Sequence, residues 1–322
     1  MKPRIIVTRR WPASVEKVLS ERFDTTLNSS DVPLTQDRMR DAFAEYDAIL
    51  PTVSDSLPAA VFPDGETRTR LLGNFGVGFS HIDTEAARRA GITVTNTPGV
   101  LTDCTADIAM TLLLGVARRA GEGERELRAG NWTGWRPTHM IGSRVSGKTI
   151  GIIGMGRIGK ATARRAHFGF GMEVVFYNRS KVDDDETRVI GARQLPTIED
   201  VLAEADFVSL HCPGGAENRH LMDARRLAGM KRGAFIINTA RGDVVDQQAL
   251  IDALCAGTIA GAGLDVFDGE PAVPEALRRM ENVMLLPHLG SATEETRVAM
   301  GMKVVENVIA FFENRDVPDR VA

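Results

Sequence analysis

The sequence predicts an α/β protein built from two doubly wound parallel sheets, and three observations carry that reading. Short β-branched runs alternate with helix-length amphipathic segments from end to end, a rhythm that needs crossover connections and hence parallel strands. The alternation starts afresh near Lys148, so two sheets are more economical than one. At roughly 100–200 residues per domain, a chain of 322 residues makes two domains, each large enough to bury a core without disulfides or structural metal.

In the first series, residues 5–8, 47–52, 71–75 and 92–95 read as strands. Residues 14–23, 35–46 and 84–90 read as helices between them, the last stopped by Gly91 where a left-handed residue ends a helix. Residues 102–119 form a long helix too apolar for a surface linker, so it is expected at a domain or subunit interface. The second series places strands at 149–153, 173–177, 207–211, 234–238, 263–266 and 283–286, and a last helix covers 293–314. No repeat of solenoid period and no low-complexity tract interrupts this pattern.

Composition narrows the partners. Against 43 Asp+Glu the chain carries 39 Lys+Arg, a formal charge of −4, which argues against general affinity for nucleic acid or an anionic membrane. The longest apolar stretch, 108–117, falls far short of the roughly 20 residues that span a bilayer, and Asp107 and Arg118 bracket it. Met1-Lys2-Pro3-Arg4 is basic but lacks the apolar centre of a secretion signal. Cys104, Cys212 and Cys255 are scattered and odd in number, fitting neither a disulfide framework nor a zinc site. A soluble protein of a reducing cytoplasm, without metal and acting on a small molecule, is the expectation.

Gly154-Met155-Gly156-Arg157-Ile158-Gly159 matches G-x-G-x-x-G, a weak signal in a chain with 31 glycines until its context is read. It directly follows the apolar run 149–153 and opens a helical pattern, the placement that lets amides at a helix N-terminus meet a pyrophosphate. In NAD-binding proteins an acidic residue about 20 positions on accepts hydrogen bonds from the adenine ribose. Here that region reads Tyr177-Asn178-Arg179-Ser180. No carboxylate repels a 2′-phosphate, while Arg179 offers a cation and Ser180 a hydroxyl, which favours NADP(H) over a weaker NAD(H). The competing reading is that Arg179 sits on a solvated turn near an acidic residue such as Asp183.

An enzyme that reduces a carbonyl with a nicotinamide needs a cation for a substrate anion, an acid for the nascent alkoxide, and a group that tunes the acid. Arg241, Glu270 and His288 each follow a predicted strand of the second series, and ligands of open parallel sheets sit outside the carboxyl ends of strands. Singly, each also reads as a surface Arg, a loop Glu or a capping His.

With those residues assembled, the chain resembles the D-isomer-specific 2-hydroxyacid dehydrogenases over nearly its whole length. The resemblance runs in order through Phe75-Gly76-Val77-Gly78, Leu101-Thr102-Asp103, the segment 147–159, Asn238-Thr239-Ala240-Arg241-Gly242, Gly263-Leu264-Asp265-Val266-Phe267 with Glu270-Pro271, and Pro287-His288-Leu289-Gly290-Ser291. Gly134-Trp135-Arg136-Pro137 and the Asn178-Arg179-Ser180 turn are most similar to the glyoxylate/hydroxypyruvate reductase branch.

The resemblance implies a flavodoxin-like substrate domain, residues 1–100 completed by 290–322, and a Rossmann cofactor domain, 101–289, with the active site in the cleft between them. It implies that Arg241 grips the substrate carboxylate and carbonyl oxygen, and that the amides of Val77 and Gly78 bind the carboxylate. His288 is then the proton donor during hydride transfer, hydrogen-bonded to Glu270, whose charge favours imidazolium. Around the cofactor the resemblance places Thr105, Gly154, Gly156, Arg157, Ile158, Gly159, the 178–180 turn, His211-Cys212-Pro213, Thr239, Ala240, Arg241, Asp265, His288 and Gly290. Trp135 is either a substrate-side wall supplied across a homodimer or a core aromatic. The expected activity is NADPH-dependent reduction of glyoxylate and hydroxypyruvate to glycolate and D-glycerate.

Phe79-Ser80 stands where many members have Asp or Asn, and Asn218 where many have Thr. Formate dehydrogenases usually carry Gln at the position of Glu270, and phosphoglycerate dehydrogenases often carry a C-terminal regulatory domain, for which a chain ending at Ala322 is expected to leave no room. A broader D-2-hydroxyacid dehydrogenase and a nicotinamide-sensing corepressor on the same fold are the competing functions.

Overall fold

A computed structural model describes residues 2–65, 67–182 and 184–322, and the chain divides into two compact units, Met1–Leu101 with Ala292–Ala322, and Thr102–Ser291. In the first unit, strands β1 (Arg4–Val7), β2 (Asp24–Leu27), β3 (Ala48–Leu50), β4 (Leu71–Gly73) and β5 (Thr93–Thr95) form one sheet in the order β2-β1-β3-β4-β5. Pairings among these five strands are all parallel, with Ile5 opposite Ala48 and Leu71 opposite Thr93, and the strand order is that of the flavodoxin-like fold. Helices α1 (Ala13–Arg22), α2 (Gln36–Glu45) and α3 (Thr84–Arg89) supply crossovers, and Gly91 closes the third at φ +69°. The C-terminal helix Glu294–Phe312 packs on β4 and α1, where a side chain at Gly73 or Gly301 would strike Val304 or Val15.

β2 has no counterpart in the sequence reading. Its residues Asp24-Thr25-Thr26-Leu27 are mostly exposed at a sheet edge, so no apolar alternation marks them.

The second unit is a seven-stranded parallel sheet of β6 (Thr149–Ile153), β7 (Glu173–Tyr177), β8 (Arg193–Gln194), β9 (Phe207–Leu210), β10 (Phe235–Asn238), β11 (Gly261–Leu264) and β12 (Val283–Leu285). Its order, β12-β11-β10-β9-β6-β7-β8, winds one way from β6 to β8 and the other way from β9 to β12, a Rossmann sheet with one added strand. The reversal lies between β6 and β9. β11 begins two residues earlier than the sequence places it, because Gly261, which like Gly263 has no side chain, does not look like a strand residue. Added Cβ atoms there would lie 2.5 Å from the Asn282 carbonyl oxygen and 2.8 Å from the Leu112 Cβ, so glycine is what lets a helix pack directly on this strand.

That helix is α4 (Thr102–Ala117), and its apolar run corrects an expectation. Ala109, Leu112, Leu113, Val116 and Ala117 are buried in the core of their own unit with Ile150, Ile152, Phe207, Phe235 and Ile237. The helix is apolar because it covers β10 to β12 rather than because a partner covers it. We therefore expect Leu112→Ala to lower the unfolding free energy by about 3 kcal/mol in chemical denaturation while leaving the molecular mass unchanged. A loss below about 1 kcal/mol accompanied by dissociation would restore the interface reading.

Candidate functional site

Three neighbouring strands, β10, β11 and β12, end side by side, and the residues just past their carboxyl ends carry the polar groups. After β10 the buried Asn238 folds the chain back: its Nδ2 donates to the Arg241 carbonyl oxygen at 2.9 Å and its Oδ1 accepts from the Ala240 amide at 3.0 Å. Two glycines then let Arg241 settle. A Cβ on Gly242 would lie 1.9 Å from the carbonyl carbon of Phe267, and one on Gly214 would lie 2.8 Å from Cγ of Arg241. The 267–270 loop can approach only because residue 242 has no side chain.

Glu270 closes that loop on itself and on the next strand. Its Oε1 accepts from the Phe267 amide at 3.0 Å, and its Oε2 accepts from Nδ1 of His288 at 2.8 Å. His288 occupies the left-handed region at φ +55°, a strained setting for a residue with a Cβ. Asp265, buried past the end of β11, holds it there. The His288 amide donates to the Asp265 carbonyl oxygen at 2.9 Å, and the Asp265 carboxylate accepts from the amides of Leu289 at 2.6 Å and Gly290 at 2.8 Å. From α4, the Thr105 hydroxyl donates to the Gly290 carbonyl oxygen at 2.8 Å.

The charges follow from these contacts. Burial by itself would raise the Glu270 carboxyl, but the hydrogen bond and charge of His288, the Phe267 amide and the Arg241 cation outweigh it and hold the group below its ordinary value. Burial raises Asp265, against its two amide donors. Burial also lowers the Arg241 guanidinium, against the nearby charges of Glu270 and Asp243, and a guanidinium stays protonated under any such shift. The Arg241 side chain makes only one hydrogen bond among the described residues, Nη1 donating to the Ala240 carbonyl oxygen at 2.6 Å, out of five guanidinium N–H groups. A desolvated cation with most of its fork uncommitted, beside an imidazole held by a carboxylate, can grip an anion and present a proton to it.

The other half of the sheet fits a dinucleotide. Gly154 sits at φ +97°, and a Cβ there would lie 2.8 Å from the Cys212 amide nitrogen, at the reversal of strand order. A Cβ on Gly159 would press 2.3 Å from the Gly154 carbonyl oxygen. Gly156, by contrast, would meet nothing within 4 Å, so this protein's own packing leaves open the space where its missing side chain would stand. Gly156 caps α6 (Arg157–Phe170), whose first turn has no acidic residue and opens with the exposed Arg157, a place where the helix dipole disfavours a cation unless an anion is near. Ile158, next along, is half-buried. Past β7, Asn178 Nδ2 donates to the carbonyl and hydroxyl oxygens of Ser180, both at 3.1 Å. Arg179 is exposed and paired with Glu217 at 2.6 Å, while Asp183 lies outside the described residues. Past β9, desolvation pushes His211 down to about 4, leaving a neutral ring against the Ser209 hydroxyl at 2.9 Å, and pushes the Cys212 thiol up to about 11. Pro213 turns the chain away, its carbonyl oxygen accepting from Nδ2 of Asn218 at 2.9 Å.

The structure thus draws Arg241, Glu270, His288, Asp265, Thr105 and Gly290 into one cluster, with Thr239 and Ala240 buried in the turn that leads to Arg241. It gives Thr105 and Asp265 a supporting task that sequence reasoning missed, along with Asn238, Gly214 and Gly242. An Asn at a strand end three residues before the Arg was a readable turn signal. In the other unit, Asn74 Nδ2 donates to the carbonyl oxygens of Gly76 at 3.0 Å and Gly78 at 3.1 Å, and Asn96 Nδ2 to that of Val77 at 2.8 Å. The amides of Val77 and Gly78 donate to no acceptor among the described residues. Trp135 is 81% exposed, so it is not a core aromatic.

A Rossmann sheet with a glycine turn and an Arg, Glu and His at its strand ends defines a dinucleotide-binding oxidoreductase class. Residues 110–290 match the D-isomer specific 2-hydroxyacid dehydrogenase family through its NAD binding domain, and the chain belongs to that family. It is 44% identical to a glyoxylate reductase of Korarchaeum cryptofilum, covering all of this chain and 96% of that protein, and 43% identical to one of Thermococcus kodakarensis, covering 99% and 95%. Among solved structures, it is similar to an NADPH-dependent glyoxylate/hydroxypyruvate reductase of Sinorhizobium meliloti in complex with NADP and malonate. That likeness has a TM-score of 0.85 at 37% identity and covers 100% and 97% of the two chains.

If Asp265 is what fixes the loop carrying His288, Asp265→Ala should speed hydrogen exchange of the Leu289 and Gly290 amides at least tenfold, because each loses its acceptor. Unchanged protection at both would show that the loop is held by other contacts.

Proposed function

We propose that the protein reduces small 2-oxo acids, glyoxylate and hydroxypyruvate, to glycolate and D-glycerate, with NADPH preferred to NADH. The observation that carries this reading is the under-committed, desolvated Arg241 beside the His288–Glu270 pair. Bound nicotinamide supplies the hydride equivalent. Arg241 takes the substrate carboxylate and the carbonyl oxygen. With Nδ1 donating to Glu270, His288 keeps Nε2 as the proton-bearing atom for the oxygen that gains charge as the carbonyl is reduced. The Gly154–Gly159 turn and Arg157 would hold the pyrophosphate, and Arg179 the 2′-phosphate.

The reading is tested first by substitution. His288→Asn retains a donor for the carbonyl oxygen but has no proton to give, so kcat for glyoxylate reduction should fall about 10²–10⁴-fold with NADPH affinity preserved. A fall of less than tenfold would remove His288 as the acid.

Glu270 gives a pH test. Its carboxyl is held below the ordinary value, so the charge beside the imidazole persists across neutral pH and is lost only on acidification. Reduction needs the protonated imidazole and therefore fades as pH rises. Glu270→Gln removes the stabilising charge, so the alkaline fall in rate should begin about one pH unit or more lower than in wild type. Superimposable profiles would mean that the pair does not tune the acid.

Assembly is assigned to a homodimer. Trp132, Trp135 and Ile141, on one segment after α5 (Ala120–Arg128), are all exposed apolar side chains, and a two-fold contact is the commonest way to cover such a surface. Light scattering at micromolar concentration should give twice the chain mass, and Trp135→Ser should weaken it; a monomer would contradict this. Cys104, Cys212 and Cys255 form no disulfide among the described residues, and the cytoplasm is the compartment proposed.

A further inference from the structure

The Arg179–Glu217 pair is not used by the reading above. Arg179 sits on the turn after β7, where the Gln194 side-chain Nε2 donates to the carbonyl oxygens of Asn178 at 3.3 Å and Ser180 at 3.0 Å. Glu217 sits in the short helical turn Ala216–Asn218 after β9, on a loop tied down where the Gly215 amide donates to Asp243 at 3.0 Å and Asn218 to Pro213. β7 and β9 flank β6, so the two side chains meet across the carboxyl end of the strand that leads into the glycine turn. Their contact is 2.6 Å, yet Arg179 is 68% and Glu217 79% exposed. A solvated pair of this kind is weak and easily exchanged, worth at most a few-fold in an equilibrium.

We propose that Glu217 is a specificity-determining residue that competes with the ligand's 2′-phosphate for Arg179 and so narrows the preference for a phosphorylated adenine ribose. The inference rests on Arg179 being the 2′-phosphate cation. Chemistry gives it direction. A 2′-phosphate brings close to two negative charges, must take guanidinium N–H groups from the Glu217 carboxylate, and then remains beside that carboxylate. A ribose hydroxyl suffers neither effect. Glu217 therefore weakens one ligand class and leaves the other nearly untouched.

Calorimetry of the full-length protein with 2′,5′-ADP and with 5′-AMP reads this without turnover. In wild type, 2′,5′-ADP should bind more tightly than 5′-AMP, and Arg179→Ala should erase the difference. Glu217→Gln should tighten 2′,5′-ADP about three- to tenfold at low ionic strength, with 5′-AMP changed less than twofold and the gain shrinking in 0.5 M salt. If wild type does not discriminate the two ligands and Arg179→Ala changes nothing, the cofactor reading fails and this inference with it. If Arg179→Ala erases a real difference but Glu217→Gln leaves 2′,5′-ADP unchanged or weaker, the cofactor reading stands and the competition by Glu217 is overturned.

Discussion

The buried carboxylate of Asp265 is the constraint on which the loop carrying His288 depends. Just past β12, His288 takes a left-handed conformation that costs about 1 kcal/mol or more. The amides of Leu289 and Gly290, which that conformation turns inward, find their acceptors on Asp265, and the Thr105 hydroxyl secures the next carbonyl. Burial makes this carboxylate costly to ionise, and its two amide donors offset the cost. Asp265 thereby ties the end of β11 to the loop after β12, and Thr105 ties that loop to α4.

Arg241 reaches the same place by a different economy, through absent side chains. Gly242 lets the backbone after β10 touch the loop that bears Glu270, and Gly214 gives the arginine stem a flat surface. The guanidinium ends in a desolvated setting with negative charge near it and little hydrogen bonding of its own. Such a group favours an incoming carboxylate more strongly than an exposed arginine would, because water competes less. The glycine turn after β6 follows the same logic: Gly154 and Gly159 are required by the fold, whereas a side chain at Gly156 would meet nothing within 4 Å.

Much of this was legible in the residues. Apolar runs located ten of the twelve strands among the described residues, since a strand buried on both faces writes its position as a β-branched run. The exposed edge strand Asp24–Leu27 and the two-residue strand Arg193–Gln194 bury too little to leave such a trace. Arg241, Glu270 and His288 could be read from their positions past strand ends. The helix Thr102–Ala117 was readable as buried but not as to what buries it, because apolar composition is the same against a sheet or a partner. The tasks of Asn238, Asp265 and Thr105 depend on hydrogen bonds between residues as far apart as Thr105 and Gly290, and no local pattern encodes those.

On the proposed function, Arg241 would hold a 2-oxo acid and His288 would deliver a proton to its carbonyl oxygen, while a bound nicotinamide would supply hydride to C2. Single-turnover reaction of the purified protein with glyoxylate and NADPH deuterated at the transferred C4 position tests it, with glycolate analysed by mass spectrometry. The account predicts one deuterium bound at C2 of glycolate in proportion to NADPH oxidised. Glycolate without deuterium, or no oxidation of NADPH by glyoxylate or hydroxypyruvate, would contradict it.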